Sequence, residues 1–108
     1  MLLFKPEHIL PILSGRKTET CRLWKRSWAK VGAIHKAKTL MFSKEYFAKL
    51  KINHSYKQKL GNITMPSILA EGYYSRQEFY EGLERINKKH VDLTQEVYVV
   101  EFTLVEEE

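Results

Sequence analysis

Ten residues from Glu96 to Val105 read EVYVVEFTLV. In an extended chain successive side chains point to opposite faces, so Tyr98, Val100, Phe102 and Leu104 share one face and Val97 and Val99 the other. A strand that is apolar on both faces belongs inside a sheet or barrel, with cover on each side. The material for that cover is present: 44% of the 108 residues are hydrophobic and 12% aromatic. One domain of about 100 to 150 residues is the usual size for a single core, and residues 1–108 are read as one globular domain.

The remaining elements follow from periodicity and punctuation. Leu2 to Lys5 reads as a short strand, and Pro6 suits the first turn of a helix whose apolar side is Ile9, Leu10, Ile12 and Leu13. Pro11 should shorten or distort that helix, and Gly15 should stop it. Lys17 to Arg22 alternates as a strand, Val31-Gly32 leads into another near Ile34 to Phe42, and Phe47 to Tyr56 forms a third. In the last, Ala48, Leu50 and Ile52 face inward while Lys49 and Lys51 face out. Thr64 reads as the N-cap of a helix containing Ile68 and Leu69 and ending at Gly72. Ser75-Arg-Gln-Glu78 matches a capping box, followed by the apolar stripe of Phe79, Tyr80, Leu83 and Ile86. The order β-α-β-β-β-α-α-β predicts an α+β fold, a small β-barrel with peripheral helices.

Charge is distributed unevenly. Residues 16 to 59 hold 13 Lys and Arg against Glu19 and Glu45, whereas residues 71 to 108 hold 4 against 10 acids. The basic half points to a polyanion as partner. Trp24 and Trp28 alternate with Lys25, Arg26 and Lys30, a pattern that can stack unpaired bases while cations hold phosphates; core packing of one tryptophan is the alternative. Lys49 and Lys51 add a cationic strand face. The single cysteine, Cys21, cannot close a disulfide within the chain and reads as a packed thiol. With no secretory leader and no apolar run near 18 residues, the expectation is a cytoplasmic protein without a membrane partner. His8, His35, His54 and His90 show no metal-ligand spacing, and no glycine-rich phosphate loop or dinucleotide fingerprint is present. No metal and no cofactor are expected.

Four short segments, in order, carry a resemblance. Gly15-Arg16-Lys17-Thr18 with Thr20 and Arg22, then Val31-Gly32, then Glu71-Gly72 with Ser75 and Phe79, then Val97 to Phe102, together resemble the ASCH domain from about Leu3 to Leu104. The resemblance implies a fold similar to the PUA domain, with helices at the rim of a β-barrel. It further implies a cleft lined by the GRKT segment and Glu71, and an RNA-related role. The chain is also similar to small bacterial members that hydrolyse the acetyl amide of N4-acetylcytidine, whose catalytic lysine, threonine and glutamate fall at Lys17, Thr20 and Glu71. On that reading Thr20 is the nucleophile, Lys17 its base, and Glu71 the orienting carboxylate or proton shuttle. Residues 17 and 20 of a regular strand face opposite sides, so Lys17 has to sit in the turn or at a bulge for the pair to converge. Two functional classes stay open. One is a binding module for single-stranded RNA or a nucleotide, its basic cleft drawing on Arg16, Thr18, Arg22, Trp24, Lys25, Arg26, Lys30, Lys49 and Lys51. The other is a metal-independent hydrolase of a modified nucleoside or of RNA. A protein-binding domain with an idle cleft is the third, and nothing in the sequence fixes an oligomeric state.

Overall fold

The computed structural model describes residues 1–106; residues 107 and 108, part of the expected domain, lie outside the described residues. The elements run β1 (Leu2–Leu3), a 3-10 turn (Pro6–His8), α1 (Ile9–Leu13), β2 (Glu19–Arg22), β3 (Ile34–Lys38) and β4 (Ala48–Lys59). A second 3-10 turn (Leu60–Asn62), α2 (Met65–Ala70), α3 (Arg76–Asn87) and β5 (Glu96–Val105) complete the order. The fold class is α+β, as expected: one five-stranded sheet in the order β1-β3-β4-β5-β2, curled into a half-barrel with the helices around it. Among the described residues no helix is long and apolar enough to cross a membrane.

β5 occupies the position its two apolar faces demand, between β4 and β2. Val100 and Phe102 pack into a first core with Leu2, Phe4, Ile12, Leu50 and Ile52. Val97 and Val99 pack on the other side with Cys21, Leu60, Ile68, Phe79 and Leu83, under α2 and α3. Val97, Val99 and Val100 are all fully buried, so covering both faces of this strand ties the two cores together.

A β-bulge in β4 decides which of its side chains face which core. Ile52 pairs with Phe102, but the next pair is His54 with Glu101, leaving Asn53 as the extra residue. Before the bulge Ala48, Leu50 and Ile52 enter the first core, so Lys49 and Lys51 project from the opposite face. After it the alternation reverses: Tyr56 pairs with Val99 and joins the second core, while Ser55 and Lys57 pair with Val100 and Tyr98. The pairing continues to Lys59, three residues beyond the expected end at Tyr56.

The helix signals hold in outline. Thr64 accepts the Ser67 N–H at 3.4 Å, and Ser75 accepts the Glu78 N–H at 3.1 Å. The Glu78 carboxylate, however, accepts from Tyr74 N–H at 3.4 Å instead of reaching back to Ser75. Pro11 is tolerated because it is the third residue of α1, where N–H groups have no intrahelical acceptor to lose. Three expected strands are shorter. β1 ends at Leu3, not Lys5, β2 starts at Glu19, not Lys17, and β3 ends at Lys38, not Phe42. Beyond Lys38 the chain turns back, with the Lys38 ammonium donating to Ser43 O at 2.7 Å.

Candidate functional site

β1 and β2 are the two edge strands of the sheet, yet the curl brings their ends together. The guanidinium carbon of Arg22, last residue of β2, lies 4.8 Å from the ring centre of Phe4, just after β1. The unclosed seam between these edges is a cavity of about 180 Å³. His8 and Phe4 line it from one edge, Lys17, Thr20, Arg22 and Trp24 from the other, and Glu71, Tyr73, Leu83 and Ile86 close it from the helical side.

Lys17 reaches the seam from a turn, which answers the objection that strand residues 17 and 20 diverge. Gly15 takes a φ of 80°, open to glycine without strain, and turns the chain out of α1. The next three residues then donate in succession to the C-terminus of α2. Arg16 gives a guanidinium hydrogen bond to Gly72 O at 3.1 Å, Lys17 Nζ donates to Glu71 O at 2.7 Å, and Thr18 N–H donates to Ala70 O at 2.8 Å. Helix ends leave carbonyls unpaired and carry partial negative charge, so two cations and an amide are suitable caps. Glu71 alone would be unfavourable there; Arg16 and Lys17 offset it. Gly72, at a φ of 98°, lets the chain turn away directly after Glu71.

The Lys17 and Glu71 side chains are buried at 3% and 4% exposure, with Nζ 3.7 Å from Oε2. Burial lowers the Lys17 pKa against the pull of Glu71, and burial raises the Glu71 pKa against Lys17 and the Cys21 main-chain N–H. Both groups are thus drawn toward their neutral forms. Glu71 Oε1 is buried and has no hydrogen-bond partner among the described residues. Arg22 Nε donates to Thr20 Oγ1 at 3.0 Å, and its guanidinium lies between the rings of Phe4 and Trp24, 4.8 and 5.9 Å from their centres. With its oxygen accepting from Arg22, Thr20 keeps its own proton to give.

The uncharged parts of the wall are also set by burial. The His8 pKa falls to about 4, chiefly through burial and then the charges of Lys17 and Arg22, so its imidazole is neutral at pH 7. Burial lifts Tyr73 to about 12, and its ring meets His8 edge-on at 6.2 Å. Cys21 is pushed far up by burial and stays a thiol, as its packed reading requires.

Of the residues singled out from sequence, Lys17, Thr20, Arg22, Trp24 and Glu71 converge on the seam. Arg16 and Thr18 brace it from outside, Arg16 over the Tyr74 ring at 5.1 Å. Lys25, Arg26 and Lys30 are exposed on the loop beyond Trp24, with Arg26 stacked 4.9 Å from the centre of Trp28, itself 60% exposed. Lys49 and Lys51 project from the far face of the sheet and do not meet the site. His8, Tyr73 and Phe4 were not singled out. Tyr73 stands directly after Glu71-Gly72, a signal available in sequence, but a lone neutral histidine leaves none when the search is for metal-ligand spacing. Among the described residues no group of three or more His, Cys, Asp or Glu could hold a metal ion.

No family model matches the chain, and no curated protein is similar to it in sequence. Solved structures are similar in shape. An ASCH domain from Lactobacillus crispatus superposes with a TM-score of 0.63 at 13% identity, over 89% of this chain and 69% of that one. A tyrosine-to-phenylalanine variant of an ASCH protein from Zymomonas mobilis gives 0.63 at 17% identity, over 94% and 66%. The fold is that of the ASCH domain. A protein from Enterococcus faecalis with the family model DUF984 is similar as well, with a TM-score of 0.71 at 17% identity over 92% and 67%. This chain therefore spans about two thirds of each of those ASCH-like chains, and the likeness is one of fold. Within this ASCH fold the GRKT segment and the Glu71-Gly72 pair form one hydrogen-bonded unit, although Lys17 and Glu71 are 54 residues apart in sequence.

Proposed function

We propose that the seam of this ASCH domain takes one unpaired base, from single-stranded RNA or from a modified nucleoside, and that the protein works in the cytoplasm. The observation that carries the reading is the buried Lys17–Glu71 pair beside a partnerless Glu71 oxygen on the wall of the cavity. A buried acceptor without a partner costs about 1 to 3 kcal/mol, which a bound donor would recover. A base offers what the wall lacks: an amino or imino N–H for Glu71, a carbonyl oxygen or ring nitrogen for Lys17, and a flat ring to cover Tyr73, Leu83 and Ile86. The cavity of about 180 Å³ is on the scale of the roughly 150 Å³ cavity that accepts one benzene ring, and so of one pyrimidine ring. The exposed loop cations Lys25, Arg26 and Lys30 supply phosphate contacts, and the free thiol of Cys21 suits a reducing compartment. Calorimetric titration with the four nucleosides and short unpaired RNAs tests the proposal. Binding that Glu71→Ala or Arg22→Ala weakens at least tenfold supports it, and no binding of any base defeats it.

A second reading adds chemistry at the same pocket and is favoured by the lowered pKa of Lys17 beside a hydroxyl with a proton to give. Thr20 Oγ1 attacks the acetyl carbon of an acylated exocyclic amine, and Lys17 takes the hydroxyl proton. The C–N bond breaks, the amine leaves with the proton from Lys17, and water then cleaves the acetyl–threonine ester to release acetate. Glu71 holds the Lys17 amine in place and steers the proton. N4-acetylcytidine is the probe. Acetate and cytidine formed by the wild type but not by Thr20→Val or Lys17→Met support hydrolysis, whereas binding without product leaves the base-binding role alone.

A further inference from the structure

A row of side chains leads away from the seam across the sheet. Arg22 pairs with Tyr98, and Tyr98 pairs with Lys57, so β2, β5 and β4 each contribute one residue to the same line. The members touch in sequence: the Arg22 guanidinium is 5.9 Å from the Trp24 ring centre, Trp24 is 6.1 Å from Tyr98, and the Lys57 ammonium is 5.6 Å from the Tyr98 ring. Two inter-strand spacings make the row about 10 Å long. Its far end exists only because of the bulge at Asn53, which turns Lys57 onto this face and away from that of Lys49 and Lys51. The loop carrying Lys25, Arg26 and Lys30 runs alongside the row, held where Ser27 Oγ meets Ser55 Oγ at 3.3 Å.

We infer that this row is a second subsite, in which the nucleotide next to the pocketed base stacks on Trp24 and Tyr98 while Lys57 holds its phosphate. The inference rests on the base-pocket reading and narrows it: the ligand is a single strand of two or more nucleotides, not a free nucleoside. Trp24 and Tyr98 are half-buried, anchored on one side and open on the other, as a stacking platform must be. The row has aromatic faces and cations but no fixed fork of donors and acceptors, so it adds affinity at this position with little choice of base. Specificity stays with Lys17 and Glu71 in the seam. The exposed Lys57 sits at the end of the platform, where the backbone of a strand leaving the pocket would pass.

The test compares the four nucleosides with the four matching RNA homotetranucleotides on the 108-residue protein, across a salt series. The best tetranucleotide should bind about 10- to 100-fold more tightly than its own nucleoside. Tyr98→Ala should erase that advantage, Tyr98→Phe should keep it, and neither should change nucleoside affinity. Lys57→Gln, at an exposed position that leaves folding intact, should reduce the salt slope for the tetranucleotide by about 0.7. Equal affinity of the wild type for nucleoside and tetranucleotide overturns the second subsite and leaves the pocket standing. So does an unchanged slope in Lys57→Gln. If neither ligand class binds, the base-pocket reading itself has failed, and the subsite with it.

Discussion

Arg22 stacks on Phe4 at 4.8 Å, although the two residues leave the sheet from its opposite edges. This contact bridges the seam, and it joins a ring that also packs edge-on against Phe47 and Phe102 to a guanidinium that holds the Thr20 hydroxyl. The position of Thr20 in the cavity is therefore tied to the closure of the half-barrel.

Arg22→Lys tests that tie. Lysine keeps the charge but loses the flat group that lies between Phe4 and Trp24 and the Nε–H that reaches Thr20. The variant should fold, lose about 1 to 2 kcal/mol of stability, and bind its ligand at least tenfold more weakly. Thermal melting and titration calorimetry measure the two effects separately.

Lys17→Met should cost about 3 to 5 kcal/mol in urea denaturation, because it leaves the buried Glu71 carboxyl without its cation. The double change Lys17→Met with Glu71→Gln should recover part of that loss. If the single and double variants are equally unstable, the charge pair is not what the site is balanced around.

Glu19 gives a pH signature. Its carboxyl is 7% exposed, and burial raises its pKa from 4.5 to about 7, with Glu101 and Glu71 adding to the rise and Ser67 and Lys17 opposing it. The native state therefore holds this proton more tightly than the unfolded chain. Its contribution is full below pH 4.5 and is lost as pH rises through about 7. Glu19→Gln stays neutral throughout, so its stability relative to wild type should climb between pH 4.5 and 7 and level off above. His8 acts in the other direction, its contribution being lost as pH falls from 6.5 through about 4. It does so in both proteins and cancels in the difference. A flat difference across this range would remove Glu19 as the source.

Gly82→Ala should destabilise the protein by about 1 to 3 kcal/mol, even though alanine is the better helix former. A Cβ at this position in α3 would lie 2.5 Å from the Tyr73 hydroxyl oxygen. Pairing it with Tyr73→Leu, which vacates that space, should return most of the loss; the melting temperatures of the two variants decide the matter.

The sequence made the architecture legible wherever a residue type has one physical use. The two-faced apolar pattern of Val97 to Phe102 placed β5 inside the sheet, Ser75 fixed the start of α3, and the GRKT and Glu71-Gly72 segments marked the seam. Illegible were the features that depend on counting across strands. Asn53-His54-Ser55 is polar on both faces and has no period, so nothing local announces the bulge or places Lys57 apart from Lys49 and Lys51. For the same reason the contacts of Phe4 and His8 with the seam follow from the curl of the sheet, which no stretch of sequence encodes by itself.

Because side chains alternate along a strand, the bulge at Asn53 acts as a shift of reading frame within β4. Deleting Asn53 alone would close the bulge and set His54 directly after Ile52, with the partners and faces of Tyr56 and Lys57 unchanged. Forcing all twelve residues of β4 into a regular ladder would instead put Tyr56 where water now meets Lys57 and send Lys57 toward the apolar layer beneath α2 and α3. The bulge is thus a slack link: it absorbs one surplus residue so that the two halves of the strand can each keep their own core.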